Sequence, residues 1–317
     1  MKKVAIVMGG DSSERVISLK SAEIVYQELS KSNFEVYKID IDGSKWTGFI
    51  DDKSYEIDKN DFSLNGIHFD AVFVAIHGTP GENGLLQAYF EMLNIPHTTC
   101  NTFEAALTFN KARCNALLRA WNIPVARSIL LNKGKDLDET LALEHLSLPM
   151  FVKPNRAGSS FGISRVNRPS QLKAAIAKAR EHDDEVLIES FLEGREVTCG
   201  VHDLEGKPLA LPVTEIITDH EFFDYQAKYE GASEEITPAA LAEDEKNIVQ
   251  GTAVQVYELL NLKGVCRIDF KLFNGKAYVI EVNTVPGLSA ASIIPQQVIA
   301  AGGNMTEFYS KMVLQAR

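Results

Sequence analysis

Apolar runs and amphipathic stretches alternate along the first hundred residues. Three apolar or alternating runs predict strands, at 3–8, 35–41 and 71–76. Helical spacing over 18–30 places a helix between the first two runs, and this strand–helix–strand order predicts an open parallel sheet. Glu14 and His77 follow the carboxyl ends of two of these strands, where ligands bind in such sheets. The two residues are therefore candidates for one site, although surface loops would explain each of them alone.

The pattern changes near residue 98. A helix is predicted over 103–121, and the remaining chain mixes strands and helices in an α+β arrangement. The segment 148–164 is typical of a strand, a Gly-Ser loop and a second strand, which together would form a hairpin flap. We divide the chain into an amino-terminal α/β domain, a central subdomain with the flap and a carboxy-terminal subdomain, at 1–98, 99–187 and 188–317.

Residues 218–238 carry four aromatic side chains with neither helical nor strand periodicity. Long aromatic loops are often lids or binding loops, and a disordered insertion is the alternative. Because aromatic side chains lose favourable burial in water, we expect a lid.

Two alternating segments joined by Asn274-Gly275 predict a hairpin over 264–283. Arg267 and Asp269 alternate with apolar residues in the first segment, and Glu281 and Asn283 do so in the second, where the predicted apolar set is Tyr278, Ile280 and Val282. A two-residue turn would place Asp269 opposite Ile280. Convergence of Asp269 and Glu281 therefore requires an odd loop, for example 273–275, or a β-bulge.

Converging carboxylates repel one another unless a positive charge lies between them. Two carboxylates and one amide oxygen form an all-oxygen set that suits Mg²⁺, with phosphates and water as further ligands. An ordinary solvated polar face is the alternative. The sharp turn at 283–287 and the amides and hydroxyls of 288–292, which suit a carboxylate, favour a site.

Composition narrows the class of protein. The chain has 317 residues, 45% of them hydrophobic, which is typical of a globular protein with a substantial core. A net charge of −11 opposes nonspecific binding to nucleic acid. Its four cysteines have no C-x-x-C spacing, so neither a disulfide framework nor a zinc site is expected. The apolar run at 4–8 is too short for the hydrophobic core of a secretory signal. We therefore expect a cytoplasmic protein without membrane insertion.

Lys153 precedes a loop that contains Gly158, Ser159 and Ser160. Glycine and serine there allow backbone amides and hydroxyls to approach a phosphate, and Lys111 on the preceding helix adds a second positive charge. The sequence is neither a Walker A nor a Rossmann G-x-G-x-x-G motif. Taken alone, an ordinary hairpin with a solvated lysine would explain it.

Seven segments in order link these features: GGDSSE, AIHGTPGENG, FVKPNRAGSSFG, EVLIESFLEGREVT, FFDYQAKY, RIDF and EVNTVPGLSAAS. This order resembles the D-alanine–D-alanine ligases of the ATP-grasp superfamily along almost the whole chain. The resemblance implies an ATP-grasp fold with an amino-terminal Rossmann-like, parallel-sheet (pre-ATP-grasp) domain. It also implies ATP-dependent joining of two D-alanine molecules through a D-alanyl phosphate, for peptidoglycan precursor synthesis.

The resemblance also assigns residues. Those implied to bind ATP are Lys111, Lys153, Ser159, Ser160, Glu189, Leu192, Glu196 (ribose) and Lys228. Those implied to bind two Mg²⁺ or Mn²⁺ ions are Asp269, Glu281 and Asn283, with Glu281 shared. Those implied to bind substrate are Glu14, His77, Arg267, Gly287 and Ser292. Those implied to act in catalysis are Glu14, Ser159, Tyr229 and Arg267.

Several alternatives stay open. A ligase that makes D-alanyl-D-lactate or D-alanyl-D-serine is the nearest, although Lys228-Tyr229 is similar to the loop of dipeptide-forming members. A non-enzymatic ATP-grasp nucleotide-binding module is a different class. The family commonly forms homodimers. Lys271 departs from the pattern of relatives, which usually have an apolar residue there, and two alternatives stay open: its side chain extends outward to solvent, or it contacts the nucleotide.

Overall fold

The computed structural model describes residues 1–51, 53–158, 161–218 and 233–316. The amino-terminal part contains a six-stranded sheet in the order β5-β4-β3-β2-β1-β6. Its strands are β1 (Lys2–Gly9), β2 (Phe34–Asp42), β3 (Lys45–Ile50), β4 (Lys53–Asp58), β5 (Ser63–Leu64) and β6 (Ala71–Val74). Its helices are α1 (Arg15–Leu29) and α2 (Leu85–Met92).

The parallel centre of this sheet is confirmed, because β1 pairs in parallel with both β2 and β6. Strands β3 to β5 continue the sheet in antiparallel order and were not predicted. They are short, and many of their side chains are exposed, so they lack the apolar runs that mark buried strands.

The central part contains a four-stranded sheet in the order β7-β10-β8-β9. Its strands are β7 (Ser128–Leu131), β8 (Met150–Pro154), β9 (Ser164–Val166) and β10 (Val186–Ser190). Its helices are α3 (Thr102–Phe109), α4 (Lys111–Ala120), α5 (Glu139–Leu146) and α6 (Leu172–Arg180), the last preceded by a 3₁₀ turn at Pro169–Gln171. The predicted flap hairpin is confirmed as β8 and β9. The helix predicted over 103–121 is instead two helices, because Asn110 is extended and caps α4.

The carboxy-terminal sheet has the order β14-β13-β11-β15-β16, and β12 pairs with β11. Its strands are β11 (Arg195–His202), β12 (Leu209–Ala210), β13 (Thr214–Thr218), β14 (Ser233–Ile236), β15 (Val265–Phe273) and β16 (Lys276–Asn283). Its helices are α7 (Glu243–Leu259), α8 (Ile293–Ala300) and α9 (Met305–Leu314). None of the described helices is long and apolar enough to cross a membrane.

The hydrophobic cores join parts that are distant in sequence. Ile294 and Tyr309, on the last two helices, share a core with Val4 and Ile6 of the first strand. The carboxy-terminal helices therefore pack under the amino-terminal sheet. This packing brings the carboxyl ends of β1 and β6 close to the loop that follows β16.

The β15–β16 hairpin has the predicted pairing of Asp269 with Glu281. Of the two predicted ways to reach this pairing, the structure has the β-bulge and not the three-residue loop. The turn is a two-residue Asn274-Gly275 turn, with both φ angles positive, and not a 273–275 loop. The register shifts farther along, between Phe270 and Asp269, so Ile280 is the extra residue of a β-bulge.

The bulge also corrects the predicted apolar face. The pattern assigned Tyr278, Ile280 and Val282 to one face, but the buried residues of β16 are Ala277, Val279 and Val282. An uninterrupted period of two fails here because the bulge changes which face each later side chain points to.

Candidate active site

Three adjacent strands present a polar face with matched rows. Across β11, β15 and β16, Asp269 lies between Thr198 and Glu281, and Arg267 lies between Gly200 and Asn283. Lys271 forms the third row with Glu196 and Tyr278. The side chains predicted from the alternation of β15 therefore share one face.

The Asp269 carboxylate is held by several donors. Arg267 donates from Nε to Oδ1 and from Nη2 to Oδ2, each at 2.8 Å, and Asn283 Nδ2 donates to Oδ2 at 3.1 Å. The Thr198 hydroxyl also donates to Oδ1. A carboxylate with this many donors has a fixed orientation.

The donor set fits a hard cation. Two carboxylates and the Asn283 amide oxygen would supply only oxygen, which is what Mg²⁺ prefers, if the amide, whose Nδ2 faces Asp269 here, turned its Oδ1 toward the ion; phosphate and water would complete the shell. In the part of the chain that the structure describes, no three or more His, Cys, Asp or Glu side chains form a metal cluster.

A cavity of about 180 Å³, here the first cavity, lies between this face and the central sheet. Its charged lining residues are Lys111, Lys153, Lys271, Glu189, Glu196, Asp269 and Glu281. Apolar residues line it as well, among them Phe151, Ile163, Phe191, Leu192 and Ile280. The structure thus brings together the described residues that were predicted to bind ATP.

Lysine–carboxylate pairs line the first cavity. The Nζ–Oε2 distances are 3.3 Å for Lys111 and Glu281, 2.5 Å for Lys153 and Glu189, and 2.9 Å for Lys271 and Glu196. All six side chains are at most about one-fifth exposed. Such desolvated pairs are far less screened than surface pairs.

Lys111 is positioned by an asparagine network that sequence reasoning missed. The Asn155 side chain is fully buried, and its Oδ1 accepts from Ala112 N at 2.8 Å while its Nδ2 donates to Asn110 Oδ1 at 2.9 Å. Lys111 Nζ donates to the carbonyl oxygen of Ala157 at 2.7 Å. The network ties the flap to the start of α4, and an asparagine directly before a helix is a capping signal that could have revealed it.

A second cavity, of about 360 Å³, is lined in part by Arg267. It is lined by all five residues predicted to bind substrate, namely Glu14, His77, Arg267, Gly287 and Ser292. Glu281 and Gly158 line both cavities. A β-carbon on Gly158 would lie 2.3 Å from Glu14 Oε2, so the flap backbone approaches this carboxylate closely.

Ser292 and Gly287 lie side by side at one end of the second cavity. A β-carbon on Gly287 would lie 2.7 Å from Ser292 Oγ, and Ser289 Oγ is 2.8 Å from the same atom. Ser292 directly precedes α8. Hydroxyls at a helix amino terminus suit a negatively charged group.

His77 joins the amino-terminal domain to the loop after β16. Its Nδ1 lies 2.8 Å from the Val285 carbonyl oxygen, and its Nε2 lies 2.9 Å from Ser21 Oγ. Because a carbonyl can only accept, Nδ1 carries the proton and the Ser21 hydroxyl donates to Nε2. Burial lowers the pKa of His77. The ring connects the loop after β6 to the loop after β16.

Glu82 is a residue of the second cavity that sequence reasoning did not assign. Its Oε2 accepts from Gly78 N at 2.8 Å and its Oε1 accepts from Val285 N at 3.3 Å. Burial first, and then the charge of Glu14, raise the pKa of Glu82 to about 8. Only its place in the GENG segment could have drawn attention to it.

Four predicted residues lie outside the described residues: Ser159, Ser160, Lys228 and Tyr229. Most of the predicted aromatic lid, residues 219–232, lies outside them too. Their assignments therefore stay predictions.

Two family descriptions match the chain. Residues 3–100 match "D-ala D-ala ligase N-terminus", and residues 117–314 match "D-ala D-ala ligase C-terminus". The chain is 46% identical to a D-alanine–D-alanine ligase of Flavobacterium johnsoniae, over 99% of this chain and 98% of the relative. It is 43% identical to one of Phocaeicola vulgatus, over 98% of each.

Solved structures show the same likeness. The VanG D-Ala:D-Ser ligase of Enterococcus faecalis has a TM-score of 0.88 and 30% identity, with 98% of each chain covered. The D-alanine–D-alanine ligase of Bacillus anthracis complexed with ATP has a TM-score of 0.81 and 27% identity, with 100% of this chain and 97% of that chain covered.

Proposed function

This chain belongs to the D-alanine–D-alanine ligase family of ATP-dependent carboxylate–amine ligases, and from that premise we propose that it joins two D-alanine molecules through a D-alanyl phosphate. The observation that carries the proposal is the meeting of two cavities at one polar face. Glu281 lines both of them, so a phosphoryl donor in the first cavity and a carboxylate acceptor in the second would meet beside it.

The first cavity would hold ATP. Lys111 and Lys153 would contact its phosphates, the backbone of 189–192 would contact adenine, and Glu196 would take the ribose. Ser159, Ser160 and Lys228 are assigned to ATP by family motif alone.

Asp269, Glu281 and Asn283 would hold two Mg²⁺ or Mn²⁺ ions, with Glu281 shared between them. The all-oxygen donor set supports this assignment. Such ions neutralise charge that develops on the transferring phosphoryl group.

The second cavity would hold both amino acids. Glu14 would bind the ammonium group of the first D-alanine, and Ser292 with the Gly287 amide would bind the second carboxylate. Tyr229 and Ser159 would connect to Glu14 when the lid closes, which would exclude water from the acyl phosphate.

The reaction follows from the charges. A carboxylate oxygen of the first D-alanine attacks the γ-phosphorus, and ADP leaves. The ammonium group of the second D-alanine loses one proton to solvent, and its nitrogen attacks the acyl carbon. The C–O bond then breaks, and phosphate leaves with the second proton of the nitrogen. Arg267 lines the second cavity beside Asp269, where its guanidinium would stabilise the negative charge that develops on oxygen in both steps.

A D-serine acceptor is the second candidate. The observation that favours it is the structural likeness to a D-Ala:D-Ser ligase. The first matched relatives, at 41–46% identity, are D-alanine–D-alanine ligases, and they support D-alanine as the acceptor.

The test is ADP release with Mg²⁺-ATP and D-alanine, alone and with D-serine or D-lactate, together with mass spectrometry of the product. We expect D-alanyl-D-alanine from D-alanine alone. A product formed only with D-serine or D-lactate would contradict the acceptor assignment. ATP binding without turnover on any of these substrates would indicate a non-enzymatic nucleotide-binding module.

We also propose that the protein acts in the cytoplasm, in peptidoglycan precursor synthesis, as a homodimer. The division into 1–98, 99–187 and 188–317 is part of the same proposal. Light scattering of the purified chain tests the dimer, since a monomer at micromolar concentration would contradict it.

A further inference from the structure

Lys271 lies in the first cavity, yet neither the family pattern nor the proposed mechanism uses it. It is directly opposite Glu196 on the antiparallel β11–β15 ladder, and its Nζ lies 2.9 Å from Glu196 Oε2. The two side chains are 21% and 16% exposed. Oppositely charged cross-strand neighbours that are this buried restrict one another's orientation.

The position of Lys271 along β15 limits what it can reach. It follows Asp269 by two residues on the same face, which is a separation of about 7 Å between Cα atoms. It therefore lies one row from the carboxylates proposed to bind metal and phosphate. Phe191 and Leu192 line the same cavity just before β11, so Lys271 is on the nucleoside side.

Lys271 contributes to the charge balance of the first cavity. Three lysines line it together with four carboxylates, and its proposed ligand is a polyanion. Lys111 and Lys153 are paired with Glu281 and Glu189. Without Lys271, the Glu196 carboxylate would lose the lysine that it pairs with among the described residues and would be a further negative charge beside the nucleotide.

We propose that Lys271 is a specificity-determining residue, which orients Glu196 so that its carboxylate accepts hydrogen bonds from both vicinal hydroxyls of the ribose. Selection of ribonucleotides over deoxyribonucleotides then depends on the pair and not on Glu196 alone. The inference rests on the proposed assignment of Glu196 to the ribose.

The experiment measures the binding of ADP and 2′-deoxyADP with Mg²⁺ by calorimetry. We expect Lys271→Met to weaken ADP binding about tenfold and 2′-deoxyADP binding by less than about threefold, because only ADP offers both hydroxyls to the oriented carboxylate. Lys271→Arg retains the charge and is expected to restore discrimination. Lys276→Met, at an exposed position on the same hairpin, is the matched control.

A double-mutant cycle separates action through Glu196 from direct contact with the nucleotide. In a Glu196→Gln background, Lys271→Met is expected to have less than about a twofold further effect. Additive effects, or equal weakening of ADP and 2′-deoxyADP, would overturn the inference and indicate a direct contact of Lys271 with the nucleotide outside the 2′-hydroxyl. Unchanged binding in Lys271→Met would overturn it as well.

Turnover distinguishes this inference from the proposed function. We expect Lys271→Met to raise KM for ATP and to leave kcat at saturating ATP unchanged, as for loss of uniform binding. Intact ADP binding without D-alanine-dependent turnover would contradict only the proposed function. Turnover in Lys271→Met with wild-type discrimination between ATP and 2′-deoxyATP would contradict only this inference.

Discussion

Glu281 combines three contacts at the scale of a single residue. It borders both cavities, it faces Asp269 across the hairpin, and it lies 3.3 Å from Lys111 Nζ. Substitution of Glu281 by glutamine would keep the shape of the side chain and remove its negative charge.

We predict that Glu281→Gln lowers kcat by about 10²-fold or more, because a charged group placed for phosphoryl transfer is lost. Its thermal midpoint should stay within about 3 °C of wild type, since the residue is partly exposed and lies outside the cores. Turnover and circular dichroism of the same preparation measure both. Glu243→Gln, on an exposed helix start, is the control, and full activity of Glu281→Gln would contradict the metal assignment.

Residues identified from the alternation of β15 lie where that pattern places them, whereas the bulge in β16 breaks the pattern there. Arg267 and Asp269 share a face because the period of β15 is uninterrupted. Glu82 could not be identified in this way, because its burial depends on contact with Val285, about 200 positions later. Local periodicity carries no information about such long-range packing.

At the scale of elements, α4 and the flap act as one unit. Asn155, on the flap, satisfies backbone and side-chain groups at the start of α4. The sequence predicted both elements but joined α3 to α4, because the apolar spacing continues across Asn110 and only the capping geometry separates them.

We predict that Asn155→Ala lowers the free energy of unfolding by about 2 kcal/mol, because it removes a fully buried amide and leaves the partly buried Ala112 N–H without its partner. KM for ATP should rise as well, since the helix that carries Lys111 loses its tether. Urea denaturation and steady-state kinetics check the two effects. Asn167→Ala, at an exposed position, is the control. A normal KM in a destabilised Asn155→Ala protein would show that the tether has no part in binding.

At the scale of the whole molecule, buried histidines connect distant segments. His97 is close to the amino-terminal sheet edge, and His202 packs edge-on against Phe308 of the last helix. Burial is the main cause that lowers the pKa of each ring. Nearby carboxylates, Glu91 for the first and Glu205 for the second, oppose that effect.

A lowered pKa in the folded state makes stability depend on pH with a definite sign. The unfolded chain binds protons more tightly at these histidines than the folded chain does. The free energy of unfolding is therefore unaffected by their titration above about pH 6.5 and decreases as pH falls below that value. Each histidine contributes a slope of at most about 1.4 kcal/mol per pH unit.

We predict that a His97→Asn/His202→Asn double variant loses less stability than wild type between pH 7.5 and 5.5. Asparagine keeps an acceptor near the position of Nδ1, where His202 accepts from Leu204 N. Urea denaturation at both pH values measures the change. His68→Asn, at an exposed position, should behave as wild type, and an unaltered pH slope in the double variant would contradict the prediction.

The bulge at Ile280 has a consequence for what one strand can offer a ligand. In a regular strand only every second side chain faces a given cavity, so two consecutive residues cannot both line it. By resetting the phase of the alternation, the bulge lets Ile280 and Glu281 line the first cavity as neighbours. One extra residue thus lets a single strand present an apolar side chain and a carboxylate, next to each other, to the same ligand.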